Sequence, residues 1–301
     1  MSIKNAFRML GSACLVAFAA CGDGQDEIAN LQPWPTRVVI TNDDGIDSPA
    51  SIALARAFAP IAETFLVVPA ENQSSGTNFA TAARSGRFDV NVQEVGEGVT
   101  AYAVDGFPAD CVFFALNGLL RESPPDLVIS GVNTGNNLAD AWILSGTIGA
   151  ARVAAYYGVP AIAVSGIDED DAEAVEAVAD WVVRFAQSDA ARRLEPPQFL
   201  TVSLPVGPTS QIRGVEVTER ARGLRAMTAT RLQENQQQEG TEAWSFDVDR
   251  AAFPAPEFTD AAVVGEGSIT IVAMRVDESD AEMHAWLVRN KDKIPAFRKL
   301  N

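Results

Sequence analysis

A single histidine, His284, stands in the 301-residue chain, and it falls near the C-terminus, far in sequence from every polar loop described below. Zinc sites built on several histidines, and phosphoryl transfer through a histidine intermediate, are therefore not expected. His284 itself reads as a surface residue. Cysteine is nearly as scarce, with Cys14, Cys21 and Cys111, so no internal disulfide framework is available. Cys111 has Asn117 rather than Arg six positions on, which removes a cysteine phosphatase loop and leaves a structural thiol in a core or near a site. An aspartyl-phosphate phosphatase of the haloacid type would want a second Asp two positions after the first, where Gly45 stands. No glycine-rich loop ends in Lys, so a kinase or NTPase P-loop has no support. Finally, no uncharged run is long enough to cross the roughly 30 Å hydrocarbon core as a helix.

What is present starts at the N-terminus. Lys4 and Arg8 precede the uncharged residues 9–20, which end in Ala19 and Ala20 before Cys21. That is the layout of a secretory signal, removed from the mature protein. Phe18 to Cys21 resembles a bacterial lipobox with Phe where Leu is usual, so Cys21 is the expected site of acylation. The expected location is the periplasm, with the chain anchored to a membrane through that lipid. An ordinary cleaved signal with an incidental Cys is the alternative. Residues 21–35 are polar, with Gly, Asp, Gln and two prolines, as a tether would be. Residues 36–301 remain for the folded domain.

Acidic residues outnumber basic ones 40 to 23, for a net charge of −17, and loss of residues 1–20 would move it to −19. Such a field repels nucleic-acid polymers and anionic lipid surfaces. A small anionic substrate would need a local cation to hold it.

Hydrophobic residues make up 47% of the chain, enough for a substantial core. Residues 37–41 form a β-branched run that stops at Asn42, Asp43, Asp44 and Gly45. Ser48 and Pro49 then open a helix, and residues 65–68 return as a strand, which closes a βαβ unit. The alternation recurs as a strand at 127–129, a helix at 147–157, a strand at 161–164 and an amphipathic helix at 170–187. The expected fold is α/β, a doubly wound, mostly parallel sheet, in which ligands bind beyond the carboxyl ends of the strands. From about residue 190 the pattern changes to strands at 200–204, 212–217 and 268–273, a Gln- and Glu-rich stretch at 232–242 and a helix at 278–290. This half reads as a β-rich extension of the sheet with an extended arm and a terminal helix.

Chemistry concentrates in the polar loops at strand ends. Adjacent Asp43 and Asp44 repel each other unless a cation sits between them, and their oxygens suit a hard ion such as Mg²⁺ or Mn²⁺; an Asp that merely caps the next helix is the plain alternative. Asn72 to Asn78 follow the second strand, and Ser130 to Asn137 follow the strand at 127–129. Three such loops at one sheet edge converge on a single crevice. Ser145, Gly146 and Thr147 open a helix, a ready seat for an anion, although a plain capping hydroxyl reads the same way. Trp142 lies between the Asn-rich loop and Ser145, either as a core residue or stacked on a base.

Taken in order, Thr41 to Gly45, Ser74 with its Gly and Asn neighbours, Gly106 and Pro108 to Cys111, Ser130 to Asn137 and Ser145 to Thr147 resemble the motif series of SurE-type nucleotidases, the stationary-phase survival protein family. The resemblance covers about residues 37–165, with a weaker echo at 202–205 and 268–270. It implies a SurE-like fold and hydrolysis of nucleoside monophosphates to nucleoside and phosphate, or of other phosphate monoesters or short polyphosphate on the same scaffold. A catalytically silent metal- or nucleotide-binding lipoprotein is the alternative from another class. It also implies one divalent cation per subunit, Mg²⁺ or Mn²⁺, with Asp43, Asp44, Ser74 and Asn133 as ligands. Asp43 and Asp44 are the catalytic carboxylates it implies. Asn42, Gly45, Ser75, Gly76, Asn78, Asn137, Ser145, Gly146 and Thr147 are the expected substrate contacts, and a homodimer or homotetramer is the expected assembly. Ser51 departs from the family's usual Gly and Ile271 from its usual Pro, and both departures point to the arm and assembly contacts more than to the chemistry.

Overall fold

A computed structural model describes residues 33–96, 98–222, 226–232, 242–249, 255–276 and 281–293. The described residues form one compact unit that begins at Trp34. The expected signal, the lipidation site and most of the tether lie outside them.

Nine strands make one sheet. In chain order they are β1 (Arg37–Thr41), β2 (Glu63–Pro69), β3 (Val90–Gly96), β4 (Val99–Val104), β5 (Leu127–Asn133), β6 (Ala161–Ser165), β7 (Gln198–Ser203), β8 (Val215–Val217) and β11 (Ile269–Arg275). A separate two-stranded ribbon pairs β9 (Ala226–Arg231) with β10 (Trp244–Asp249). The order across the sheet is β3-β4-β2-β1-β5-β6-β7-β11-β8. The six strands from β4 to β7 run parallel, while β3 is antiparallel to β4 and β11 is antiparallel to β7 and parallel to β8. The chain grows from β1 outward to β2 and β4 on one side, and from β5 outward to β6 and β7 on the other. The switch point therefore lies between the carboxyl ends of β1 and β5, where a doubly wound sheet opens a crevice.

Side-chain alternation along β1 explains why helices cover both faces. Val38 and Ile40 join one core with helices α1 (Pro49–Phe58) and α5 (Ala172–Ala186), and Val39 joins a second with α3 (Pro108–Phe114) and α4 (Gly146–Tyr156). Phe58 of α1 is fully buried, as are Leu54 and Ala55 beside it. Phe58 and Leu54 each contribute about 1.5–3 kcal/mol by leaving water. Asp171 caps α5 by accepting from the N–H groups of Glu173 and Ala174. Short helices α2 (Thr81–Ser85), α6 (Asp189–Arg192) and α7 (Asp260–Gly265) trim the edges, and α8 (Ala281–Arg289) is the terminal helix.

The expected strands and helices are present with small shifts of boundary. Strand β5 continues through Asn133, four residues beyond the reading from sequence, and only Val215–Val217 of the 212–217 run pairs as strand. Strands β3 and β4 and helix α3 were not anticipated. Most of the Gln- and Glu-rich stretch lies outside the described residues. Among the described residues no helix is long and apolar enough to cross a membrane. His284 is exposed on α8, and Cys111 is buried, its thiol pushed well up by burial and by neighbouring Asp110.

Candidate active site

At the switch point the turn after β1 is fastened from within. The side chain of Asn42, wholly buried, accepts from Gly45 N–H at 3.1 Å and donates to Gly45 O and Ser51 Oγ at 2.8 Å each. Ser51 passes the link on, donating to Gly131 O at 3.1 Å. The departure from Gly at Ser51 thus supports the turn beneath the crevice rather than any arm contact, a correction to the expectation from sequence. Asn42 likewise organises the turn, and neither it nor Gly45 is on the crevice wall. Gly45 has φ +103°, and a Cβ there would meet the backbone of Glu71 at 3.0 Å, so only Gly lets the first loop lie against the second. Gln73 N–H closes the same contact on Asp43 O at 2.7 Å.

Asp43, Asp44, Ser74, Ser75, Asn133, Asn137 and Ser145 together line a crevice of about 350 Å³, with Thr134, Gly135, Asn136, Ala141 and Leu144 completing its walls. All four expected metal ligands are on that wall. Gly76, Asn78, Gly146 and Thr147 are not. Gly76 packs under the Phe107 ring, and Asn78 borders a different pocket with Tyr156 and Tyr157. Three of the four non-glycine residues with positive φ among the described residues, Ser75, Thr77 and Ala139, sit on these loops, which is backbone strain collected where a site is built.

Gly146 and Thr147 serve Asp43 instead. Thr147 is fully buried, and its hydroxyl donates to Asp43 Oδ1 at 2.7 Å while accepting from Asn137 Nδ2 at 3.2 Å. The backbone N–H groups of Gly146 and Thr147 also face the Asp43 carboxylate. The first turn of α4 thus directs its donors at Asp43. A Cβ on Gly146 would come within 2.8 Å of Asp43 Oδ2, so the helix can start this close only at a glycine. Burial pushes the Asp43 carboxyl up from its ordinary value, against these donors that pull it down.

Asp44 is held less. Thr134 N–H supports its carboxylate, yet Oδ2 is buried with no partner. Burial first, then the charges of Asp43 and Glu169, push Asp44 up to about 7. Glu169, on the loop after β6, was not anticipated; it accepts from Ser48 Oγ at 2.6 Å at the start of α1. Its charge is an ordinary surface one in sequence, and only the sheet order brings it here.

Among the described residues no three His, Cys, Asp or Glu side chains cluster as a metal site. The fit to a hard cation is nevertheless good, because two carboxylates, the Ser74 hydroxyl and the Asn133 amide share one wall. Asn133 donates its Nδ2 to Gly135 O at 2.6 Å, which leaves its carbonyl oxygen for a ligand. The orphaned Asp44 Oδ2 is the atom that most needs one.

Trp142 is half-buried, with the guanidinium carbons of Arg152 and Arg220 at 4.6 and 4.4 Å from its ring centroid. Two cations cover the ring, so it is not a platform for a base; of the two readings from sequence, packing is the one observed. Asp110, in the expected motif at 106–111, accepts from Thr81, Ala82 and Phe107 N–H groups and so pins the end of the second loop.

Fold and site together define a doubly wound α/β protein with an acidic, oxygen-lined crevice at its switch point. The family model described as "Survival protein SurE" matches residues 38–227. The 5'-nucleotidase SurE of Geotalea uraniireducens is 33% identical over 256 residues, 84% of this chain and 98% of that one. That of Vibrio parahaemolyticus is 32% identical over 269 residues, 88% and 100% of the two chains. The crystal structure of the SurE protein from Aquifex aeolicus superposes with a TM-score of 0.70 at 24% identity, covering 85% of this chain and all of that one, and shares its fold. The chain belongs to the SurE family.

Proposed function

We propose that this protein is a divalent-cation-dependent phosphomonoesterase that hydrolyses nucleoside monophosphates to nucleoside and phosphate. One observation carries the reading: among the described residues the crevice wall presents two carboxylates and no Lys or Arg. A phosphate cannot approach Asp43 and Asp44 in a protein of net charge −17 unless a cation stands between them. The relatives named 5'-nucleotidase SurE support the substrate class.

Asp43, Asp44, Ser74 and Asn133 would hold the cation. Bound there, it would supply Lewis acidity, offsetting charge on the phosphoryl oxygens and making a neighbouring water more acidic. Asp43, gripped by Thr147 and the first turn of α4, keeps its position during turnover. Asp44 Oδ2, buried and without a hydrogen-bond partner, is the oxygen left to take a ligand or the proton of an attacking water. Ser145 Oγ accepts from Ile148 N–H at 3.0 Å, so its own proton is directed to an acceptor such as a phosphate oxygen. Among the described residues the apolar side chains on the wall are Ala141 and Leu144, which favours weak discrimination between bases.

The test is phosphate release by chelator-stripped protein from nucleoside monophosphates, short polyphosphate and an aryl phosphate, with and without Mg²⁺ or Mn²⁺. Metal-restored release from nucleotides is expected; a folded protein silent with every metal and substrate would overturn the reading and leave a binding protein.

Export with acylation at Cys21 is part of the proposal, supported by the sequence pattern alone. Cys21→Ser should abolish labelling of the membrane fraction by a radioactive fatty acid, and an unlabelled wild type would refute anchoring. A homo-oligomer is supported by apolar side chains left exposed on β8 and α8, Val217 at 80% and Val288 at 62% among them. Light scattering that gives a monomer mass would refute it.

A further inference from the structure

Beside the crevice lies a second pocket of opposite sign. Its walls carry Trp142, Arg152, Glu219, Arg220, Arg222 and Arg275 around about 920 Å³. Four arginines face one acid there, in a chain whose acidic residues outnumber basic ones 40 to 23. No residue is common to the two pockets, but one 3-10 turn, Ala139–Ile143, borders both: Ala141 faces the crevice and Trp142 the basic pocket.

Two of the arginines are held in place, and one of these, Arg220, is incompletely satisfied. Arg152 and Arg220 lie over the Trp142 ring, an attraction that fixes both guanidiniums. Arg220 Nη1 is buried and has no hydrogen-bond partner, a loss that a bound acceptor would recover. Burial and then the charge of Arg222 work against the Arg220 cation, while Asp140 and Asp260 favour it. Asp260 is otherwise engaged, since its oxygens accept from the N–H groups of Ala139, Ala221 and Ala261 at 2.8–2.9 Å. The same carboxylate ties the Arg220–Arg222 segment to the turn at the lip of the crevice. Planar guanidiniums converging on one space match the paired oxygens of a phosphate group.

We propose that this pocket is a second anion site, which binds a small phosphate-bearing molecule apart from the crevice where the ester is cleaved. The proposal rests on the arginine geometry and does not depend on what the crevice hydrolyses. Calorimetry on the full-length, chelator-treated protein tests it, with inorganic phosphate, glycerol 3-phosphate and citrate as probes. Saturable binding of one or both phosphates at one site per chain is expected, and the stronger of the two identifies free phosphate or an organic ester as the source. Arg220→Ala should weaken it roughly tenfold or more. Arg222→Ala and Arg275→Ala, both at exposed positions that do not endanger folding, should weaken it several-fold. The doubly substituted Asp43→Asn, Asp44→Asn protein should bind phosphate as well as the wild type does.

Unchanged affinity in all three arginine variants would overturn the proposal, as would loss of binding in the crevice variant. Binding of citrate alone would overturn the phosphate assignment. An absence of binding by the wild type would also overturn it, including the case in which light scattering shows a dimer that Arg220→Ala dissociates, which would mark an acidic segment of a second copy as the occupant.

Discussion

Replacing Asp44 by Asn should produce a protein that is inactive yet more stable than the wild type at pH 8 when no metal is bound. Burial, Asp43 and Glu169 hold the Asp44 carboxyl at about 7, against an ordinary value of 3.8. At about 1.4 kcal/mol per pH unit, that displacement sets a ceiling of about 4 kcal/mol. Part of the carboxylate faces the open crevice, and solvent screening reduces the cost to roughly 2 kcal/mol. The sign follows from proton affinity: the folded state holds this proton more tightly than the unfolded state does. Its contribution is therefore favourable and complete below about pH 4, and it is lost as pH rises to about 7. Asn cannot ionise, so the advantage of the variant should grow between pH 5 and 8 and then level off. For a domain of this size roughly 2 kcal/mol corresponds to about 4–8 °C in Tm. Calorimetry of chelator-treated proteins across that pH range measures it. Added Mn²⁺ should reverse the order by stabilising only the wild type. A variant equal to or less stable than the wild type at pH 8, or a difference that does not change with pH, would refute the account of the site.

The remaining expectations concern neighbours of the same carboxylates. Thr147→Val removes the 2.7 Å bond to Asp43 Oδ1 and should lower kcat/KM by about ten- to a hundredfold, about 1–3 kcal/mol for the lost bond, with cation affinity falling in parallel; a variant with wild-type kinetics would remove Thr147 from the mechanism. Gly146→Ala should cut activity at least as far, because its Cβ would lie 2.8 Å from Asp43 Oδ2. Helix propensity alone favours Ala there by about 1 kcal/mol, so an active, more stable variant would show that the contact relaxes freely. Cys111, buried with its thiol pushed well up, should resist iodoacetamide at pH 8 in the native protein and react in denaturant, as peptide mapping would reveal.

Local pattern reached far into this molecule. The run Arg37–Thr41, the Asn42–Gly45 turn after it, and the Ser48 and Pro49 start of α1 were all legible, because a buried strand, an Asx-stabilised turn and an N-cap are decided within a few residues. Strands β3 and β4 were not. Asn91, Gln93 and Glu94 of β3 are exposed, since an edge strand has little apolar face to announce itself. Glu169 was equally silent, one acid in a polar loop until the sheet brings β6 beside β5.

The sequence by itself determined which loops carry oxygen-bearing side chains and that the chain is strongly acidic, since both follow from residue type. Only the tertiary structure decided what each group faces. A helix start rich in hydroxyls and N–H groups attracts any anion, and folding placed the Asp43 carboxylate beside it. Trp142 is as suited to a base as to a guanidinium, and the packing of Arg152 and Arg220 on its ring settled the matter. Chemistry belongs to residues, but contact between residues 104 positions apart, as Asp43 and Thr147 are, is a property of the sheet order that joins β1 to β5.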